Sequence, residues 1–199
     1  HNYVSTHNIL GFTNIIFPSG TYAMGDNTLN WSSNIGAISA GSVVMLFDNA
    51  SAKGIHISTE FGNWDTVNKQ IRYNIKEVFA GNFVIENTLG VGLNTAIGVF
   101  FGDDGGNAFS AESIQLIGVK IRGWSKSHTF GSHAYIISWH HCRFDDNGSA
   151  VFISTGNGID TYFDSWEKIS YKECIFAGNI NVIDGDTGSQ GDYSFDNCS

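Results

Sequence analysis

Four stretches of this chain follow one template: IQLIGVKI (114–121), IISWHHCRF (136–144), KISYKECIF (168–176) and DYSFDNC (192–198). Each reads apolar, any residue, apolar, two polar or small residues, apolar, any residue, apolar. The set Ile114, Leu116, Val119, Ile121 returns 23 residues later as Ile137, Trp139, Cys142, Phe144. It returns after a further 32 as Ile169, Tyr171, Cys174, Phe176, and after a further 24 as Tyr193, Phe195, Cys198. Upstream, FVIENT places Phe83, Ile85 and Thr88 at 31 residues before the first set, a weaker match.

The template has a physical meaning. Period-two alternation turns Ile137 and Trp139 to one face of a strand. A straight strand would put one residue between Trp139 and the next inward side chain, but here there are two. The extra residue marks a corner, around which the apolar side chains stay on the inner side. A strand, a corner and a strand, recurring every 23 to 32 residues, is the pattern of a parallel β-helix. The fold class is therefore all-β, a single-stranded parallel solenoid over residues 1–199 with no visible domain boundary. A β-sandwich or jelly roll also has short strands and turns, but it does not require a template with its corner at a fixed place. AIGVFF and AVFI read as further strands. The stretches 89–113, 123–134 and 145–167 hold the variable loops.

Composition agrees. The chain has 24 glycines, 19 asparagines and one proline, which suits many tight turns, and no dozen residues show a helical apolar period. Net charge is −9 with only 10 Lys and Arg, so no basic patch points to nucleic acid or an anionic membrane. No apolar run is long enough for a membrane-spanning helix, and HNYVSTHNIL lacks the marks of a signal peptide. The chain opens in mid-pattern and stops before the fourth copy is complete, so it is expected to be a piece of a longer one.

All three cysteines occupy the same template position, which reads as an internal ladder of small apolar groups. His140 and His141 fall at the corner, aligned with Ile117-Gly118, Lys172-Glu173 and Asp196-Asn197. No metal site is expected, because the corner sends His140 and Cys142 to different sides of the wall. No cofactor is expected either. FGDDGGNAF lacks the Lys-Ser/Thr of a phosphate loop, and the nine-residue calcium repeat is absent.

Carboxylates are the chemistry-bearing groups. Asp145 and Asp146 follow a template copy, and Asp164 and Glu167 lie in and after the next loop. Paired carboxylates are what glycoside hydrolysis needs, and these four are the catalytic candidates. Trp124, Tyr162 and Trp166 lie among them as rings suited to sugar faces. With His140 and His141 they form the candidate carbohydrate-binding set. His128 and His133 are candidate bases if the reaction is an elimination. Against this, Asp and Asn cap turns routinely, and DDNG is a good turn without any catalysis.

Two stretches carry a resemblance. IIFPSGTYAMGD resembles the opening coil of the pectate-lyase-like right-handed β-helix superfamily. GSHAYIISWHHCRFDDNGSAVFI with EKISYKECIFAGN is similar to the central coils of bacteriophage tailspike and capsule depolymerases. The resemblance implies a right-handed β-helix that forms a homotrimer in the virion tail, beside other tail proteins. It implies binding and cleavage of capsule or O-antigen at the outer surface of the bacterial host, by endo-glycosidic hydrolysis or by a lyase reaction. Attachment and trimerisation regions would lie outside residues 1–199. No catalytic motif carries over residue by residue, and the same fold also serves non-catalytic adhesins.

Overall fold

A computed structural model describes residues 13–32, 35–60, 76–102, 109–131, 134–153, 168–185 and 192–199. Their strands form three parallel sheets, which the chain visits in turn. The first sheet stacks Thr13–Phe17, Ile35–Ser39, Lys76–Ala80, Phe109–Ile117, Ala134–His140, Ile169–Lys172 and Tyr193–Asp196. The second stacks Gly20–Gly25, Val43–Phe47, Phe83–Asn87, Lys120–Arg122, Arg143–Asp145 and Ile175–Ala177. The third stacks Leu29–Trp31, Lys53–Ile57, Ile97–Phe101, Lys126–Phe130, Ser149–Ile153 and Asn181–Gly185. A short strand, Thr59–Glu60, pairs antiparallel with Phe109 and Ser110. The architecture is a parallel β-helix, and AIGVFF and AVFI lie in strands of its third sheet.

The template is the register. Ile114, Ile137, Ile169 and Tyr193 are successive partners across the first sheet, as are Leu116, Trp139, Tyr171 and Phe195. Ile121, Phe144 and Phe176 stack across the second. Nearly all of these side chains are buried until the last coil, where Phe195 is 40% exposed. The rings continue the stacking inside, with Phe144 and Phe176 at 5.1 Å and Tyr171 and Phe195 at 4.7 Å between centroids. Offset or edge contacts of this kind add to the burial of large apolar area.

The upstream copy is corrected. FVIENT does not begin in the first sheet: Ile85 partners Ile121 in the second, and Phe79 partners Leu116 in the first. Phe83 therefore takes the place of Val119, and Thr88 lies beyond the strand. The template does not fit this coil because Phe79 and Phe83 stand four residues apart where Leu116 and Val119 stand three apart, and the pairing also shifts between Gln115 and Leu116.

The corner has a backbone cause. Gly118, His141, Glu173 and Asn197 all adopt left-handed φ, at 70°, 52°, 53° and 52°. One such residue reverses the pleat, so two residues separate inward side chains instead of one. For a residue with a Cβ this costs about 1–2 kcal/mol. The stack recovers some of that through hydrogen bonds: Gly118 N–H donates to His140 O, His141 N–H to Lys172 O, and Glu173 N–H to Asp196 O. Just after each corner, the thiols of Cys142, Cys174 and Cys198 donate to Leu116, Trp139 and Tyr171 carbonyls in the preceding coil. All three cysteines are free.

A second corner, between the second and third sheets, is closed by asparagines. Asn147 is fully buried. Its amide donates to Ile121 O, and its side-chain oxygen accepts from Trp124 N–H. Asn179 repeats the position one coil on and donates to Phe144 O. Trp124 holds the same place one coil earlier, with its indole turned inward.

Candidate functional site

On the first sheet, Ile137, Trp139, Ile169 and Tyr171 point inward, so the residues between them point out. Across the last three coils the outward positions form a grid. One row is Ile136, Lys168, Asp192. The central row is Ser138, Ser170, Ser194, which are direct partners across the sheet. The third row is His140, Lys172, Asp196, also partners. The first two rows line an open groove of about 290 Å³. Adjacent coils are ~4.8 Å apart, and rows two residues apart lie ~6.6 Å from each other. The groove thus runs along the solenoid axis between a line of hydroxyls and the row Ile136, Lys168, Asp192, and the third row lies on the far side of the serines.

His140 is half-buried on the third row. Burial, then the positive charges of Lys172 and His141, hold its pKa below the usual histidine range, with Glu173 opposing. His140 is therefore neutral at pH 7. His141 sits outward at the corner and pairs with Glu173 at 2.9 Å.

The sequence candidates divide. His140 stands on the third row, and His141 next to it at the corner. Asp146 is exposed at the second corner, in left-handed conformation at φ 52°. Asp145 is not an exposed carboxylate: it ends a strand of the second sheet and is 4% exposed. Lys120 at 2.8 Å and Arg143 at 2.5 Å both reach its Oδ2. Burial alone would raise its pKa, but these hydrogen bonds and charges outweigh burial and hold the carboxyl below its usual range. It is locked in the ionised form and occluded, which suits neither a general acid nor a nucleophile.

Trp124 is corrected outright. It is fully buried, donates its indole N–H to Ile85 O at 3.2 Å, and packs against Phe47. Room for it comes from Gly54 and Gly98, where an added Cβ would lie 2.5 Å and 3.2 Å from the ring. It is a core residue, not a sugar platform. His128 is likewise no surface base. It is fully buried, with Nδ1 at 2.8 Å from Ser127 Oγ and Nε2 at 2.7 Å from Tyr171 Oη, and burial lowers its pKa to about 3. Ser127 Oγ also donates to Ala150 O, so Nδ1 carries the proton and Nε2 accepts from the tyrosine. Asp164, Glu167, Tyr162, Trp166 and His133 lie outside the described residues.

The sequence reading missed the serine row. Its signal was present: the "any residue" between the first two apolar positions is serine in IISW, KISY and DYSF. Among the described residues no group of three His, Cys, Asp or Glu side chains is placed to hold a metal ion.

Fold and groove define a class: a parallel β-helix with a polar, hydroxyl-floored groove along its axis. No protein-family model matches the chain, and no curated protein matches it. Among solved structures, the chain is similar to a crystal structure from Parabacteroides merdae described as a "putative glycosyl hydrolase". The identity is 13% and the TM-score 0.47, over 100% of this chain and 84% of that one. At that level the likeness carries no argument about activity.

Proposed function

We propose that this chain binds bacterial surface polysaccharide along the first-sheet groove and depolymerises it by endo-glycosidic hydrolysis, as a homotrimeric protein of the phage tailspike kind. The observation that carries the reading is the row Ser138, Ser170, Ser194. It offers one donor–acceptor hydroxyl per coil along a line, which matches a polymer that presents hydroxyls at regular steps. The resemblance of the coils to tailspike depolymerases supports the virion setting and the trimer.

Hydrolysis needs two carboxyl groups about 5–10 Å apart. Asp192 lines the groove, but Asp196 stands four residues on, about 13 Å away along the strand and outside the groove's lining. For that pair we propose Asp164 and Glu167, of which Glu167 directly precedes Lys168 in the chain. A second reading, polysaccharide lyase, is favoured by His140: a neutral imidazole beside the Lys172 cation suits proton abstraction next to a sugar carboxylate.

The deciding experiment is incubation with capsule or lipopolysaccharide from candidate hosts. Oligosaccharides with new reducing ends are expected, and these should vanish on Asp164→Asn with Glu167→Gln. A product with unsaturated-uronate absorption, lost on His140→Ala, selects the lyase. A glycan that is bound but never cut identifies a non-catalytic adhesin. No binding to any glycan overturns the reading.

A further inference from the structure

Resting on that glycan-binding reading, we infer that the groove is built for an acidic heteropolysaccharide with a carboxylate-bearing sugar seated on the Ile169–Lys172 coil and an uncharged or amine-bearing sugar on the Tyr193–Asp196 coil. The grid carries the argument. The middle coil places a cation on each flank of Ser170: Lys168 two residues before it and Lys172 two residues after. The next coil places an anion on each side of Ser194: Asp192, which lines the groove with Lys168, and Asp196, which partners Lys172 on the far side of the serine row. The preceding coil places Ile136 and the neutral His140 around Ser138. Charge along the groove therefore runs neutral, positive, negative, with both flanks agreeing at each coil.

The agreement matters because the chain carries only 10 Lys and Arg against 19 Asp and Glu. Two of those cations bracket one hydroxyl on one coil. Both lysines are exposed, and among the described residues neither is drawn into an ion pair of the kind that fixes Lys120 and Arg122. A sugar carboxylate above Ser170 is within reach of two ammonium groups, and such charge-assisted bonds are stronger than neutral ones. One coil further along, a second carboxylate would face two aspartates and be repelled. The rise per coil is close to the length of one linked hexose, so successive sugars meet successive coils. A polymer with an acid on every residue therefore fits worse than one with an acid on alternate residues.

The test is a binding panel at constant ionic strength with three probes. Hyaluronan carries one carboxylate per disaccharide, polygalacturonate carries one on every sugar, and dextran has none. Hyaluronan is expected to bind about tenfold tighter than either of the others, the size of two exposed charge contacts. Lys168→Gln with Lys172→Gln should abolish that margin. Asp192→Asn with Asp196→Asn should raise polygalacturonate binding toward that of hyaluronan. The melting temperature of both double variants serves as the folding control. Equal affinity for dextran and hyaluronan, or a lysine variant that keeps the margin, overturns the acidic-sugar assignment while glycan binding itself stands. Binding of none of the three overturns the acidic-sugar assignment, and if no host polysaccharide binds either, the glycan-binding reading falls with it.

Discussion

Two outer faces of this solenoid use the same charged residue types to opposite ends. On the second sheet, Lys120 and Arg143 converge on the buried Asp145, and Arg122 meets Glu86 at 2.6 Å. On the first sheet, Lys168, Lys172, Asp192 and Asp196 stand in rows beside a line of serines and remain exposed. Residue type does not separate the two faces. What separates them is that the second-sheet charges close ion pairs, while among the described residues none is formed by the four on the first sheet, although Lys172 and Asp196 are register partners. Arg143 and Asp145 alternate on one short strand with Lys120 on the next rung, so one carboxylate collects two cations. Among those four, every charged position is separated from the next along its strand by a serine. One face closes on itself, and the other is left to meet a ligand.

The contrast can be broken or sharpened by experiment. Trp124→Ala should have the largest effect on stability, about 3–5 kcal/mol as for other large core truncations, seen in chemical denaturation. Glycan affinity per folded molecule should not change. A loss of affinity without a loss of stability would return Trp124 to the surface role expected from sequence.

Acid comes next. The folded-state pKa of His128 is depressed to about 3 from an ordinary 6.5. Between those values the unfolded chain binds a proton that the folded chain refuses. The contribution is fully present above about pH 6.5 and is lost as pH falls toward 3. Melting temperature should decline through that window, and His128→Gln should flatten the decline. Asp145, with its lowered pKa, adds a further loss only below the ordinary carboxylate range.

Asp145→Ala leaves Lys120 and Arg143 without their shared acceptor. Because both cations reach solvent, the cost should be about 2 kcal/mol, below that of a fully buried pair. Activity on polysaccharide should be kept, and its loss would contradict a structural role for Asp145. Smallest in stability is Ser170→Phe, which places a ring in the groove floor. The melting temperature should stay within about 2 °C, as for surface changes generally, while glycan binding falls at least about tenfold. An unchanged affinity would remove the groove from the site.

The fold was legible because the inner wall is written in residue type. Ile, Trp, Tyr, Phe and Cys recur at positions that must be inward, and their spacing marks the corner. Trp124 was misread because its neighbours in sequence are polar. Only Gly54 and Gly98, far away in the chain, show that a ring goes inside. Asp145 was misread because an acid after a strand looks like turn chemistry, and the cations that claim it come from its own strand and the adjacent coil. The groove lay between the two levels. Its serines recur in register, but serine is so ordinary outside a sheet that recurrence alone had to carry the signal.

In the coils that carry Lys120–Arg122, Arg143–Asp145 and Ile175–Ala177, the passages from first to second sheet and from second to third are two and three residues long, and they hold left-handed backbone at Gly118, Gly123, His141, Asp146, Glu173 and Gly178. Differences in coil length gather mostly in the return from third sheet to first. Those returns, at 131–133, 154–168 and 186–192, lead in the chain to the three strands that carry the groove. Segments can therefore be lengthened, shortened or exchanged beside the groove without a change in any stacked position. If the proposed glycan binding holds, selection for a new glycan can work on the returns while the frame is inherited intact.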